Sequence, residues 1–442
     1  MNLLLINLSL RPDSFQCIFP IGIGYIATAL REAGIDFDLL DMDVHKGDIH
    51  DLATTDFKKY DVVAFGCIVT GYRIVKEVSR IIRETNPNVT IICGNTVASS
   101  IPIHLLLNTE VDIAVMGEGD IAIVEIINTL KKGKFKGIYK ADRMVDVNKL
   151  PILKWDLFDM SKYLKRNRNS IAEPHPVDYS SLMAMPVNSA RGCIHNCSFC
   201  YNVFQGEKYR YRSVDSLSKE MDFLKSHYDI NYITFYDDLT LFSKRRVEEF
   251  IDLMTGRGIH WTACCRAGLF TRQDRNLLRK LKRSNCVSLG YSLESANKHI
   301  LKAMNKHISL ESFEEQKKAL TEADIATITS LVLAYPQETE RTLAQTFNFC
   351  YKNDIYPSTG YLQPQPGTPM YDYALKNDYI TNQEEYLMQM GDRQDLHINM
   401  SKIPSERLQQ LTFNHLKRIR DKLKLPLRDD QLIKTGIMRG AK

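Results

Sequence analysis

The chain reads as an α/β protein: a doubly wound, flavodoxin-like parallel sheet, then a partial (β/α)6 barrel, then a helical tail. Three observations carry that reading. Short apolar runs alternate with amphipathic stretches along most of the 442 residues, the pattern of parallel sheets. Glycines and acids gather just past those runs, where the ligands of such sheets sit. A Cys-x3-Cys-x2-Cys array, Cys193, Cys197 and Cys200, directly follows the strand-like run Leu182 to Val187.

Composition narrows the class. The length suits two or three domains with separate cores, and 44% apolar with 25% charged residues is ordinary for a soluble globular protein. The net charge of +5 is mild and its basic residues are dispersed, which argues against a nucleic-acid partner. No apolar run approaches a membrane span, and the N-terminus opens straight into a strand, so a cytoplasmic protein without a membrane partner is expected. Ten cysteines, three of them clustered, suit a reducing compartment and a redox cofactor.

Taken in order, Asn2 to Asn7 is a buried strand, Ile23 to Ala33 a helix ending at Gly34, and Asp36 to Leu40 a second strand with Asp41 and Asp43 at its end. Apolar runs Asp61 to Gly66, Val89 to Gly94 and Val111 to Gly117 each precede a helical stretch, completing a five-stranded parallel sheet over 1–140. Its strand ends carry Gly66-Cys67, Gly94-Asn95-Thr96 and Gly117-Glu118-Gly119, where glycine lets the backbone approach a ligand. Gly22 and Gly24 match a dinucleotide fingerprint only superficially, because fourteen residues, Leu8 to Ile21, separate them from the first strand. The long first loop suits a large flat ligand better, and His45 reads as an exposed loop histidine. Residues 141–180 mix prolines, charges and aromatics as a linker does.

The cysteine array is the chemical centre. Three thiolates leave one position of a tetrahedral or cubane site without a protein ligand, and open positions do chemistry. The spacing argues for an iron–sulfur cube over zinc, whose sites commonly add a second Cys pair that this sequence lacks. His195 is a spacer. Beyond it, Ser213 caps helix Val214 to His227, and strand Asn231 to Tyr236 ends in Asp237-Asp238. Strands His260 to Cys265, Cys286 to Leu293, Ala326 to Leu333 and Tyr356 to Leu362 alternate with helices Lys244 to Thr255, Arg272 to Lys282, Leu310 to Ala323 and Glu338 to Asn353. With the first strand this makes six β/α units over 181–373, too few for a closed eight-stranded barrel.

Polar residues at the carboxyl ends of barrel strands are the informative ones. Arg266 there suits a carboxylate and Glu294, close to Ser292, suits paired hydroxyls, whereas Cys264 and Cys265 read as core thiols. Residues 374–442 form a mainly helical tail. In it Ser405 to Leu423 sets Leu408, Leu411, Leu416 and Ile419 on one side, placed to close the barrel's open edge or bottom.

Arg191-Gly192 before the array, Phe199 and Tyr201 around its last thiol, and the proline-glycine loop Gln363 to Met370 complete a signature that resembles the radical S-adenosylmethionine (SAM) superfamily. The resemblance implies that Cys193, Cys197 and Cys200 hold a [4Fe-4S] cluster whose remaining iron takes the amino and carboxylate groups of SAM. By the same resemblance, Phe199, Tyr201, Asp237, Asp238, Arg266, Ser292 and Glu294 surround SAM. One departure is Ala334 and Gln337, where the family usually has glycine.

The set Pro20 to Tyr25, the strand ending at Asp41, Gly94-Asn95-Thr96 and Gly117 to Gly119 is similar to the cobalamin-binding domain that precedes the barrel in one large class of that superfamily. This implies cobalamin on Gly22, Gly24, Asp41, Gly66, Cys67, Gly94, Asn95, Thr96, Gly117, Glu118 and Gly119, with no histidine beneath the cobalt. The function implied is cleavage of SAM to a 5′-deoxyadenosyl radical that takes hydrogen from a small molecule, fed electrons by a flavodoxin or ferredoxin. Cobalamin-dependent methylation of an sp3 carbon is the leading outcome. The alternative is a dehydratase, epimerase or cyclase whose first domain is empty or not used for methyl transfer. A methylthiotransferase is disfavoured, because Cys17, Cys67 and Cys93 are the only other thiols ahead of the array.

Overall fold

The first apolar run becomes β1 (Leu3–Asn7), and all of its residues are buried because helices cover both faces of a parallel sheet. Burying each of its leucines stabilises the sheet by roughly 1.5–3 kcal/mol. The computed structural model describes residues 1–12, 14, 17–167, 178, 181–201 and 208–434. It divides into two units: Met1–Tyr163, Tyr201–Gln205 and Gln365–Gly391 form one, and Leu164–Cys200, Gly206–Pro364 and Asp392–Lys442 the other. No helix among the described residues is long and apolar enough to cross a membrane.

In the first unit β2 (Asp38–Asp41), β3 (Val62–Gly66), β4 (Thr90–Gly94), β5 (Ile113–Met116) and β6 (Gly137–Lys140) join β1 in one parallel sheet of order β2-β1-β3-β4-β5-β6. The winding reverses between β1 and β3, and the crevice at such a switch point is where open α/β sheets bind ligands. Strand β6 escapes a reading by periodicity, being four residues long and only half-buried on alternate positions. Residues 141–163, expected as linker, pack instead within this unit. Phe19 of the first loop gathers Trp155, Phe158 and Tyr163 at ring-centroid distances of 4.5, 4.7 and 5.1 Å.

The second unit holds β7 (Ala184–Val187), β8 (Ala190–Arg191), β9 (Arg210–Tyr211), β10 (Tyr232–Phe235), β11 (His260–Cys264), β12 (Cys286–Gly290), β13 (Ala326–Ile328), β14 (Ser330–Leu333) and β15 (Ser358–Tyr361). Five of them form a parallel sheet, β13-β12-β11-β10-β7, and β14 pairs in parallel with β15. The expected fifth strand thus splits at Thr329: its first half pairs with β12 and its second with β15. A bridge from Glu294 to Leu331 keeps β14 beside the continuation of β12. Side chains alternate, with one register shift against β12 between Trp261 and Thr262. Trp261 and Tyr291 face the helices, packing on Phe250 and Phe313 at 5.8 and 4.8 Å, while Thr262 and Ser288 face inward and share a 2.7 Å hydrogen bond.

The tail expected at 374–442 does not stay together. Residues Gln365–Gly391 belong to the first unit, where the Glu384 carboxylate accepts from Tyr72 Oη at 2.7 Å, lies 2.7 Å from His104 Nε2 and pairs with Lys76. From Asp392 the chain is in the second unit. There the Tyr361 N–H donates to the Arg393 carbonyl at 2.7 Å, so this segment edges β15. Helix Ser405–Leu423 forms over the expected span and lies on helix Glu340–Lys352. His415 stacks on Phe347 at 4.9 Å, and Thr412 rather than Leu411 fills the buried stripe.

Under β9 the guanidinium of Arg212 is almost fully buried, paired with Glu220 and donating to the Asn188 carbonyl at 3.1 Å. Breaking a buried pair strands one charge. Glu220→Ala should therefore cost about 3–5 kcal/mol, read as a lower midpoint in chemical denaturation, and an unchanged midpoint would refute the assignment.

Candidate functional site

The loop bearing the three thiols is held at its start and in its middle. At its start, β8 and β9 form a two-residue antiparallel ladder, Ala190 to Tyr211 and Arg191 to Arg210, and Gly192 turns the chain at φ +93°, a value that favours glycine. Asp237, at the end of β10, accepts from the Ser189 and Ala190 N–H groups at 2.8 and 3.0 Å. It also accepts from the Ser189 and Thr240 hydroxyls at 2.5 and 3.1 Å. Its side chain, expected to face SAM, is instead buried and committed to the loop's backbone; burial pushes its carboxyl up to about 6 against those donors.

Between the second and third thiols, Ser198 N donates to the Met304 carbonyl at 2.9 Å and Ser198 Oγ to the Ala303 carbonyl at 2.8 Å. Asn305 Nδ2 donates to the Asn196 carbonyl at 2.7 Å, and the Ser198 and Tyr335 hydroxyls lie 2.7 Å apart. None of these ties was read from the sequence. Their one local signal is Asn305 following helix Lys298–Ala303, where it adopts φ +51°, a conformation Asn tolerates at helix ends. Tyr335 is placed by its neighbour: Ala334 sits at φ +68° and its N–H donates to Glu338 Oε2 at 2.6 Å. Alanine at a usual glycine position is thus accommodated, at a strain of about 1–2 kcal/mol.

Charges converge on this loop. Cys193 and Cys197 are half-buried and Cys200 is exposed. Burial raises the Cys193 and Cys197 thiols, while the Lys306 ammonium pulls the other way. Desolvation, then Lys306, Arg266 and His307, lower His195, which keeps it neutral. Lys306, absent from the sequence reading, lies 3.3 Å from Glu294 Oε1. Glu294 is 5% exposed with φ +63°, and its Oε2 is buried without a hydrogen-bond partner. A buried carboxylate oxygen left unpaired is costly, so this atom marks a place for a donor the chain does not supply. Ser292 and Phe199 are half-buried, and Asp238 and Arg266 are exposed. Cys265 is buried as expected, whereas Cys264 is exposed because it falls on the inward side of β11.

Among the described residues no three His, Cys, Asp or Glu side chains converge closely enough to hold a single metal ion. Thiols spread along a loop suit the separate iron corners of a cluster, so the donor set fits a [4Fe-4S] group with Glu294 Oε2 ready for a diol. Tyr201, directly after the last thiol, belongs to the first unit. A Cβ added at Gly367, itself at φ +87°, would lie 2.9 Å from its ring.

In the first unit the proposed corrin residues separate into two kinds. Gly22, Asn95 and Gly117 are exposed, Gly66 and Gly94 are half-buried, and a Cβ added at Gly94 would meet nothing within 4 Å, which leaves an open floor at the strand ends. The others are used internally. Asp41 accepts from Asn7 Nδ2 and Tyr163 Oη, both at 2.8 Å, and Thr96 Oγ1 accepts from Val69 N at 2.8 Å. Cys67 is buried, which pushes its thiol up to about 12. Added Cβ atoms at Gly24 and Gly119 would lie 3.1 Å from the Phe19 ring and 3.3 Å from Ile26, so these glycines serve close packing. Glu118 is buried with Oε2 accepting from Met144 N at 3.3 Å. His45 lies on the surface with Nδ1 3.1 Å from Lys162 Nζ. The open floor fits a flat macrocycle.

Comparison with known proteins agrees with both halves. Residues 187–350 match the radical SAM superfamily and residues 13–127 the B12 binding domain. An uncharacterised methyltransferase of Pyrococcus horikoshii is 27% identical over 82% of this chain and 79% of its own length. An anaerobic magnesium-protoporphyrin IX monomethyl ester cyclase of Cereibacter sphaeroides is 24% identical, over 80% of this chain and 60% of its own length. The radical SAM methyltransferase TsrM of Kitasatospora setae shares the fold, with a TM-score of 0.61 at 17% identity over 86% of this chain and 77% of that one.

Glu338 gives the site's support a pH dependence. Burial pushes its carboxyl up to about 7, so the stability tied to its protonated form is complete below the ordinary carboxylate range and is lost as pH rises through about 7. Glu338→Gln should flatten that loss, on the order of 3 kcal/mol, in unfolding curves compared at acid and alkaline pH. Parallel curves for both proteins would remove Glu338 from this role.

Proposed function

We propose that this chain, which matches the radical SAM superfamily over residues 187–350 and the B12 binding domain over residues 13–127, is a radical SAM enzyme that transfers a methyl group to an sp3 carbon of a small molecule. The observation that carries the reading is Glu294 Oε2, a buried acceptor without a partner beside a loop of three thiols. Cys193, Cys197 and Cys200 hold the cluster, and the Glu294 oxygen accepts from ribose hydroxyls while Lys306 fixes its companion oxygen. Arg266 and Lys306 attract a carboxylate, and Asp238 an amino group. Phe199 and Ser292 line the nucleoside, and Asp237 acts at one remove, holding the loop that positions the thiols. Gly22, Gly66, Gly94, Asn95 and Gly117 form the floor for the corrin. When bound, the cluster supplies the electron that splits SAM to a 5′-deoxyadenosyl radical, and cobalamin supplies a methyl carrier. The barrel's inward side chains orient the substrate and exclude water.

A second reading, an anaerobic cyclase, is favoured by the relative in Cereibacter sphaeroides named as a magnesium-protoporphyrin IX monomethyl ester cyclase. Reconstitution under nitrogen with iron, sulfide and hydroxocobalamin separates the two. Methyl transfer expects retained corrin absorption, and 5′-deoxyadenosine from SAM plus a strong reductant. Absence of corrin bands sinks the methyltransferase reading but leaves the cyclase. Replacing Cys193, Cys197 and Cys200 by alanine should abolish iron loading and SAM cleavage, and persistence of both would overturn the radical reading itself.

A further inference from the structure

The turn that fixes the thiol loop also gives it a charged face. Residues 297–307 read Asn-Lys-His-Ile-Leu-Lys-Ala-Met-Asn-Lys-His, with three lysines, two histidines and no acid. The Asn305 amide and the Ala303 and Met304 carbonyls bond the loop at Asn196 and Ser198, so this basic stretch lies directly against the thiols. Lys306 is spent on Glu294, but Lys298, His299, Lys302 and His307 are exposed. Lys298 meets one carboxylate, Glu311, at 3.5 Å, and with the two side chains 77% and 74% exposed water screens that pair. Lys302 has no carboxylate within ion-pair distance among the described residues. Positive charge therefore outweighs negative on this face. On the loop itself His195 and Asn196 are exposed, and Ile194, the residue after Cys193, is a large apolar side chain left 44% exposed.

We propose that this face, Ile194, His195 and Asn196 with Lys298, Lys302 and His307 beside them, is where an acidic flavodoxin docks to deliver the electron. The inference rests on the radical SAM reading, which requires a one-electron donor from outside the chain. Electron transfer slows steeply with distance, so the donor has to sit where the thiols come nearest to solvent. Ile194 and Asn196 are each one residue from a thiol, Cys193 and Cys197. Redox partners meet through small, weak interfaces whose charges steer the encounter, and a basic face selects an acidic partner. Apolar Ile194 suits the apolar dimethyl edge that a bound flavin exposes, which favours flavodoxin over ferredoxin. The transfer moves one electron from the flavin hydroquinone to the cluster, oxidising the first and reducing the second by one, and no bond forms or breaks.

Calorimetry of oxidised flavodoxin against iron-reconstituted, full-length protein at low ionic strength should show binding that fades as salt is added. Lys298→Glu combined with Lys302→Glu should weaken it about tenfold or more, and Lys302→Gln, a milder change that serves if the double reversal does not fold, about threefold. Arg275→Glu combined with Arg279→Glu, on the exposed basic helix Arg275–Arg283, should leave it unchanged. Formation of 5′-deoxyadenosine driven by dithionite should be equal in wild type and variants, whereas the same reaction driven by reduced flavodoxin should fall only in the Lys298 and Lys302 variants. Failure of the dithionite reaction in wild type counts against the radical reading, while flavodoxin binding reports on the docking face alone. The proposal is overturned if wild-type protein binds no flavodoxin, if it binds ferredoxin in its place, or if the lysine variants bind as wild type does or no more weakly than the Arg275 and Arg279 variant.

Discussion

The structure depends on fixing a short loop of three thiols at its start and in its middle. Each thiol brings little structure of its own, and an array held only by its metal would take up many geometries. Asp237 fixes the entry by taking two backbone N–H groups and two hydroxyls. Ser198, Asn196 and the turn at Ala303 to Asn305 fix its middle. Cys193 lies between these ties and Cys197 and Cys200 flank Ser198, in a setting that is partly desolvated and near Lys306 and Arg266, suited to a group with net negative charge. Preorganisation of this kind keeps a reactive position open without asking the metal to fold the chain.

Buried carboxylates do much of the tying, and they explain which acids are ligand candidates and which are not. Asp41, Asp237, Glu220 and Glu338 all spend their oxygens on backbone or side-chain donors within the protein. Glu294 differs. One oxygen is held by Lys306 and the other is buried without a hydrogen-bond partner among the described residues. In a sequence Asp41, Asp237, Glu338 and Glu294 look alike, each an acid at or shortly after a strand, and Glu220 is one more acid on a helix. Only the count of satisfied lone pairs separates a strut from a binding group.

The same distinction runs through the glycines. Gly94 opens onto space and Gly66 lies beside it, as a ligand floor requires, whereas Gly24 and Gly119 let one helix approach an aromatic ring and another helix. Gly360 does a third job, making room for an arginine from a distant segment. Gly367, where Tyr201 packs, does a fourth.

Much of this protein was legible in the residues alone, where the information is local. The thiol spacing, the alternation of strands and helices, and the helix Ser405–Leu423 all follow from periodicity and capping within a few turns of chain. What the linear order does not contain is which distant groups meet. The split of the fifth strand at Thr329 depends on which neighbour each half pairs with. The departure of Gln365–Gly391 to the other unit depends on partners 280 or more positions away in sequence, at Tyr72, Lys76 and His104. The consumption of Asp237, the placing of Lys306 beside Glu294 and the laying of Arg393 over Gly360 were decided by tertiary structure. Hydrogen bonds and close packing form between surfaces that only the folded chain brings together.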